Sequence, residues 1–380
     1  MTRKKQMRVK IIGAGSIGNH MAHASRELGW DVTVVDLSHD ALIRMRDDIY
    51  PSRYGAWDPT ISLRLSSEAP NGKFDLVIIG TPPDQHLTLA IAALADNPKA
   101  ILIEKPLCPP SLEQAQTIFD VTNESPTKCF VGYDHVVGKA ARAAADLVRS
   151  NVIGDVITID VEFREHWAGI FKAHPWLRGP EDTYLGFTDR GGGASGEHSH
   201  ALNLWQHFAH VAGAGRVVEV DGVMKYVSVG KAHYDEMCFL TLRTEEGLVG
   251  RVVQDVVTLP PKKLARLQGT EGSLEWINGY DTHGDAVLVR RRGGEEEVHR
   301  FPKRRTDDFL EELKHVLACL ESNEMSSDIR LERGLDTVLT LAAAHRSERD
   351  RTRIRLDYSR GYSFEALLGL SRTTDSPTAE

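Results

Sequence analysis

Between residues 9 and 18 an apolar run passes straight into Gly13-Ala14-Gly15-Ser16-Ile17-Gly18, and a helix-forming stretch follows. A second apolar run, Val32-Thr33-Val34-Val35, ends on the carboxylate of Asp36, 18 residues after Gly18. Strand, glycine turn, helix, strand and terminal acid together leave few folds open. Gly13 permits the tight turn, Gly15 lets the backbone approach a pyrophosphate, and Gly18 lets helix and strand pack closely. The helix start adds unpaired N–H groups and a positive dipole end, both suited to phosphate. Ser16 and Ile17 lie in that first turn and join the three glycines as expected cofactor contacts.

Asp36 is placed to accept hydrogen bonds from an adenosine ribose. The next residue, Leu37, carries no charge, so a 2′-phosphate would meet a carboxylate without a cation beside it. The spacing therefore favours NAD over NADP, with Arg44 and Arg46 the nearby cations that argue the other way.

From residue 7 to about 132 the pattern alternates. Strands are expected at 8–12, 32–36, 76–80, 100–103 and 129–132, and helices at 17–28, 40–49, 85–94 and 112–123. Alternation of this kind predicts an α/β N-terminal Rossmann domain with a parallel sheet covered on both faces. Residues 51–73 are rich in Pro, Ser and Gly and give no clear reading. After residue 150 the rhythm changes to consecutive strands with short Gly turns, at 156–164, 217–229, 236–243, 248–257, 265–268, 273–277, 287–291 and 297–301. Two amphipathic helices follow, at 308–323 and 331–346. The second half is thus expected to be an α+β domain with a large, mainly antiparallel open sheet. The division expected is 1–135 for the nucleotide-binding domain, 136–370 for a substrate and oligomerisation domain, and 371–380 for a disordered tail. The last helices are free to pack back on the first domain. A sheet with one bare face predicts a homo-oligomer, a dimer or tetramer.

Composition narrows the function classes. The net charge is −8 and basic residues cluster only in threes, which argues against nucleic acid. No apolar run is long enough for a bilayer or a signal peptide, so neither a membrane nor export is expected. Cys108, Cys129, Cys238 and Cys319 are far apart and form no C-x-x-C, which suits a reduced, cytoplasmic setting. His198, His200, His207 and His210 do not show a recognised ligand spacing, and no metal is expected there.

Two further motifs follow strands directly: Thr81-Pro82-Pro83-Asp84-Gln85-His86 and Glu104-Lys105-Pro106. In an open parallel sheet, ligands bind beyond the carboxyl ends of the strands, so Thr81 and Lys105 are site candidates. A lysine there can hold an alcohol oxygen and exchange its proton. With Gly191-Gly192-Gly193 ahead of Glu197-His198-Ser199-His200, these motifs resemble the glucose–fructose oxidoreductase / inositol dehydrogenase / rhizopine catabolism family over nearly the whole chain. The resemblance implies a cis Lys105–Pro106 bond, Thr81, Pro82 and His86 on the nicotinamide side, and Glu104 near a ribose or the lysine. It also implies that His200 relays protons beside Lys105.

The family's usual pattern around that histidine is Asp-x-Gly-x-His-x-x-Asp. This chain departs from it, with Gly196 four residues before His200 and Asn203 three after. Glu197 is the candidate to replace the missing acid, and an acid in a first helical turn is also ordinary dipole chemistry. Asn203 is a candidate for a substrate hydroxyl. The irregular segment from 166 to 190 is dense in rings and charges, and Trp167, Trp176 and Arg178 are its candidates for a sugar face and an anionic group. The expected activity is transfer of a hydride between nicotinamide and a secondary alcohol of a sugar, cyclitol or sugar derivative. Two other readings stay open: redox-neutral glycoside cleavage on bound NAD, and a non-catalytic NAD-binding regulator.

Overall fold

The computed structural model describes residues 6–70, 72, 74–172, 174–322 and 326–370; the tail expected at 371–380 lies outside them. The first part runs β1 (Arg8–Ile12), α1 (Ser16–Glu27), β2 (Asp31–Asp36), α2 (His39–Arg44), a π turn over Met45–Ile49, α3 (Tyr50–Tyr54), β3 (Ser62–Leu65), β4 (Leu76–Ile79), α4 (Pro83–Leu94), β5 (Ala100–Ile103), α5 (Ala115–Asn123) and β6 (Lys128–Val131). Its six strands are parallel in the order β3-β2-β1-β4-β5-β6. Every residue of β4 and β5 is buried, as strands covered on both faces by helices must be. The unclear stretch at 51–73 contains β3, a short edge strand beside β2. α5 begins three residues later than expected, because Leu112 and Gln114 take left-handed backbone at φ 58° and 63°.

The second part contains α6 (Asp134–Val137), α7 (Lys139–Arg149), β7 (Val156–Arg164), α8 (Trp167–Lys172), α9 (Gly193–Glu197), α10 (Ser199–Val211), β8 (Val217–Val229), β9 (Ala232–Thr244), β10 (Val249–Asp255), β11 (Lys262–Gly269), β12 (Gly272–Asp281), β13 (Gly284–Arg291) and β14 (Glu296–Pro302). α11 (Arg305–Glu321), α12 (Leu331–Asp350), β15 (Ile354–Leu356) and β16 (Leu367–Gly369) end it. Ten strands form one sheet, ordered β14-β13-β12-β11-β7-β10-β9-β8-β15-β16. All pairs are antiparallel except β7 with β10.

One face of this sheet packs on helices. Trp205 of α10 is fully buried and donates from its indole N–H to Ile159 O at 2.8 Å, which pins the helix over β7. The opposite face carries alternating charged residues with an apolar cross-strand pair, Val223 and Phe239, 62% and 37% exposed. The last helices return to the first sheet: Phe309 of α11 stacks on His20 of α1 with ring centroids 4.5 Å apart, and Val131 N–H donates to Ile329 O at 2.8 Å. This return brings acids of α11 beneath the carboxyl ends of β5 and β6.

Candidate active site

The first sheet reverses its order between β1 and β4, and the crevice at their carboxyl ends is where such a sheet takes a ligand. Gly13 turns with φ +109°, and a Cβ there would lie 2.6 Å from Gly80 O. A Cβ on Gly18 would lie 2.0 Å from Gly13 O, so helix and turn touch backbone to backbone. A Cβ on Gly15 would meet nothing within 4 Å: this glycine faces open space rather than protein. Ile17 lies against Gly80, 3.4 Å from where a Cβ on that glycine would sit. Asp36 accepts from Ala14 N–H and Ser38 N–H, both at 2.8 Å, and so anchors the turn; its two oxygens keep lone pairs for ribose hydroxyls. Leu37 beside it is 90% exposed. Arg53 donates to Ser16 O at 3.0 Å and to Ser16 Oγ at 2.9 Å, which places a cation at the start of α1.

Lys105 follows β5, and its bond to Pro106 is cis. Its Nζ donates to Glu197 O at 2.9 Å and to Glu197 Oε2 at 3.2 Å. The ammonium and the carboxylate are 13% and 21% exposed, so the pair sits at the floor of the site with limited access to water. Burial pushes the Glu197 carboxyl up, but Lys105 and then His198 pull it further down, and the net shift is downward. Glu197 is therefore ionised at neutral pH and a fixed acceptor for the lysine.

The triple glycine explains how α9 reaches this point. Gly193 has φ +83°, and a Cβ there would lie 2.0 Å from Asp235 Oδ1. Asp235 is fully buried and accepts from Ser195 N–H at 2.7 Å and Ser195 Oγ at 3.1 Å. Arg190 reaches across to Asp84 at 2.9 Å, tying this loop to the start of α4. Burial and then Lys263 lower the pKa of His198 to about 4. Lys263 itself pairs with Glu165 at 2.7 Å.

Behind the lysine lies a buried group of acids and histidines. Glu104, Asp134 and Glu312 are 5%, 8% and 1% exposed. Burial raises the Glu104 carboxyl, and Asp134 adds to this more than Lys105 subtracts. Glu312 is raised well above its ordinary range by burial and by the charges of Glu104, Asp134 and Asp308. His200, second residue of α10, is held well below its ordinary value by burial, then by His135 and Lys105. Its ring lies 4.5 Å from that of His135, and its Nδ1 lies 3.7 Å from Asp134 Oδ1.

A model described as the oxidoreductase family with NAD-binding Rossmann fold matches residues 7–133, and one described as the GFO/IDH/MocA C-terminal domain matches residues 141–275. The chain belongs to the GFO/IDH/MocA oxidoreductase family. No curated protein matches its sequence. Among solved structures, it is similar to an oxidoreductase from Agrobacterium radiobacter in complex with NAD+, L-tartaric acid and magnesium, at 18% identity and TM-score 0.74, over 92% of this chain and 98% of that one. It is similar to a putative NADPH-dependent oxidoreductase from Desulfitobacterium hafniense, at 20% identity and TM-score 0.73, over 93% and 98%. It is also similar to an aldose–aldose oxidoreductase from Caulobacter crescentus complexed with glycerol, at 16% identity and TM-score 0.72, over 93% and 100%. At these identities the likeness is one of fold.

Within this GFO/IDH/MocA chain, several residues sit elsewhere than the sequence suggests. His86 does not face the crevice: its ring nitrogens lie 2.7 Å from Thr81 O and 3.0 Å from Pro106 O, so it staples the loops that follow β4 and β5. Thr81 and Pro82 form the loop it holds. Asn203 donates to Thr337 Oγ1 at 3.1 Å, which ties α10 to α12. Trp167 is buried in a small separate core with Ile170, Leu185 and Tyr234. Arg178 is exposed, and its backbone N–H caps onto Asp182. Trp176 lies under the Arg53 guanidinium at 5.9 Å, on the side of the Ser16 turn rather than that of Lys105. His207 and His210 turn toward Asp328 and Arg333, away from His200. Asp134, His135, Glu312 and Lys263 were missed. Asp134 and His135 carried a usable signal, two polar residues within four positions of the end of a parallel strand. Glu312 closes the late-helix stretch Phe309 to Glu312 that shares in the family resemblance, but a glutamate in an amphipathic helix reads as solvated. Among the described residues, no helix is long and apolar enough to cross a membrane.

Proposed function

We infer that the protein is an NAD-dependent dehydrogenase acting on a secondary alcohol of a sugar, cyclitol or sugar derivative. The observation that carries this is Lys105 Nζ, held by Glu197 at the end of β5 beside a turn shaped for a dinucleotide. Gly13, Gly15, Gly18, Ser16 and Ile17 fit a pyrophosphate, because Gly15 faces open space and the helix start follows it. Asp36 with the uncharged Leu37 favours the unphosphorylated ribose of NAD. When bound, NAD accepts the carbon-bound hydrogen as hydride.

The chain's own residues handle the proton. The Lys105 amine accepts the alcohol proton and so becomes the ammonium, which Glu197 holds in place. His200 is the second polar group at this position, the proposed relay. Thr81 and Pro82 border the nicotinamide side, and Glu104 backs the lysine. The aldose–aldose oxidoreductase among the structural neighbours supports the substrate class by analogy of fold. All four cysteines are buried free thiols, in keeping with the cytoplasm. The bare sheet face around Val223 and Phe239 suits a homo-oligomer contact.

The test is NADH absorbance with pure protein, NAD or NADP, and a panel of polyols, sugars, sugar acids and nucleotide sugars. Substrate-dependent NADH, with a lower rate on NADP, is expected. Release of a leaving group without net NADH would move the protein to glycoside cleavage. NAD binding with no turnover of any panel member would move it to a regulator.

A further inference from the structure

Asp134 Oδ1, His135 Nδ1 and His200 Nδ1 converge on one point. The oxygen lies 3.4 Å from His135 Nδ1 and 3.7 Å from His200 Nδ1, and all three atoms lie within 4.8 Å of one another. None of the three has a hydrogen-bond partner, although each atom is buried. A buried acceptor left bare costs about 1–3 kcal/mol, and more when it is charged. Three such atoms facing one another are therefore not explained by packing.

A cation resolves this arrangement. In a tetrahedral zinc site with bonds of about 2.0–2.1 Å, neighbouring ligand atoms stand roughly 3.3 Å apart. Two of the three separations, 3.4 and 3.7 Å, are already close to that, and the third is within 4.8 Å. Two imidazoles and one carboxylate suit a first-row divalent ion and leave a coordination position open. The charges around the site agree. Lys105 is paired with Glu197, and Lys303 is paired with Asp285 at 2.8 Å and Asp308 at 2.9 Å. Both lysines are thus countered, while Glu104 Oε1 and Glu312 Oε1 remain buried without partners.

We propose that Asp134, His135 and His200 form a binding site for a zinc-class divalent cation on the floor of the crevice beside Lys105. The three ligands come from α6 and the start of α10, so the ion would tie these two helices together. With the ion on Nδ1, the His200 proton is fixed on Nε2. The site does not depend on the protein being a dehydrogenase.

The test uses the full chain, stripped with chelator and titrated with Co(II) while its visible ligand-field bands are recorded, and with Zn(II) by calorimetry. NADH binding by fluorescence is measured on the same samples. One equivalent per chain is expected. His135→Ala and Asp134→Asn should weaken binding at least tenfold while NADH affinity stays unchanged. If His135→Ala does not fold, His135→Gln serves, with NADH affinity as the check on folding. No Co(II) spectrum in the wild type, or equal affinity in the variants, would overturn the site. Either result leaves the dehydrogenase reading to its own turnover assay.

Discussion

Asp36 anchors the glycine turn through Ala14, and its proposed second task is to meet the cofactor ribose. That double duty explains why a single acid at the end of β2 was readable without a structure. Its chemistry also makes a prediction. Asp36→Ser with Leu37→Arg removes the repulsion and supplies a cation, so the ratio of NADH to NADPH dissociation constants should shift toward NADPH by roughly tenfold or more, about 1.4 kcal/mol. Fluorescence titration with both cofactors reads this, and an unmoved ratio would mean that Asp36 does not face the ribose. Lys105 and Glu197 were equally visible, because their motifs stand next to a strand end and a glycine run. Asp134, His135 and Glu312 were not read, because what matters about them is a long-range meeting of β6, α10 and α11. Residue type alone does not report such a meeting. The surroundings of Trp167 and Asn203 were hidden for a related reason: Trp167 packs in the small second core and Asn203 donates to Thr337 of α12, contacts between elements that the sequence does not show to be adjacent.

Among the elements, the strands of both sheets other than β3, β15 and β16 were legible from apolar periodicity, and β8 keeps the bounds expected of it, Val217–Val229. The less legible elements have local causes. α7 is built on small residues, with Ala140, Ala141, Ala144, Ala145 and Val148 buried, and alanine gives a weak apolar stripe. The helix expected at 40–49 becomes α2, a π turn and α3, which together deliver Arg53 to Ser16. β15 and β16 are three residues each, too short to show a period. The glycine turn and α1 yield a test that separates folding from binding. Gly15 has φ −75°, which any residue accepts, and open space beyond it. Gly15→Ala should therefore melt like the wild type but bind NADH on the order of tenfold more weakly. Gly18→Ala drives a methyl into Gly13 O and should cost about 1–3 kcal/mol of stability. Thermal melts and NADH titrations of both variants check this. Undiminished NADH affinity in Gly15→Ala would place the pyrophosphate elsewhere.

At the scale of the whole molecule, the two halves are joined where α11 and α12 return to the first sheet, and the candidate site lies at that junction. The far side of the ten-stranded sheet is left without helices. Val223 and Phe239 form an exposed apolar pair where β8 meets β9, flanked by ion pairs such as Arg251–Asp160 at 3.1 Å and Arg243–Glu219 at 3.4 Å. A self-complementary face of this kind suits a two-fold contact. Light scattering should give a mass of two or four times the 42.2 kDa chain, and Val223→Glu with Phe239→Glu should give the single-chain mass with NADH binding kept. A wild-type monomer at micromolar concentration would remove this role from the face. The open face was foreseeable from consecutive strands followed by only two helices. Which residues lie on it was not, because the register of ten strands is set by their pairing.

The most direct measurement of the central claim is turnover by Lys105→Met, assayed by NADH absorbance on the panel substrate that the wild type oxidises best. Loss of the ammonium should lower kcat by about 10²–10⁴. The NADH dissociation constant should stay within roughly twofold of the wild type. Wild-type turnover in that variant would contradict the assignment of Lys105 as the acid–base group.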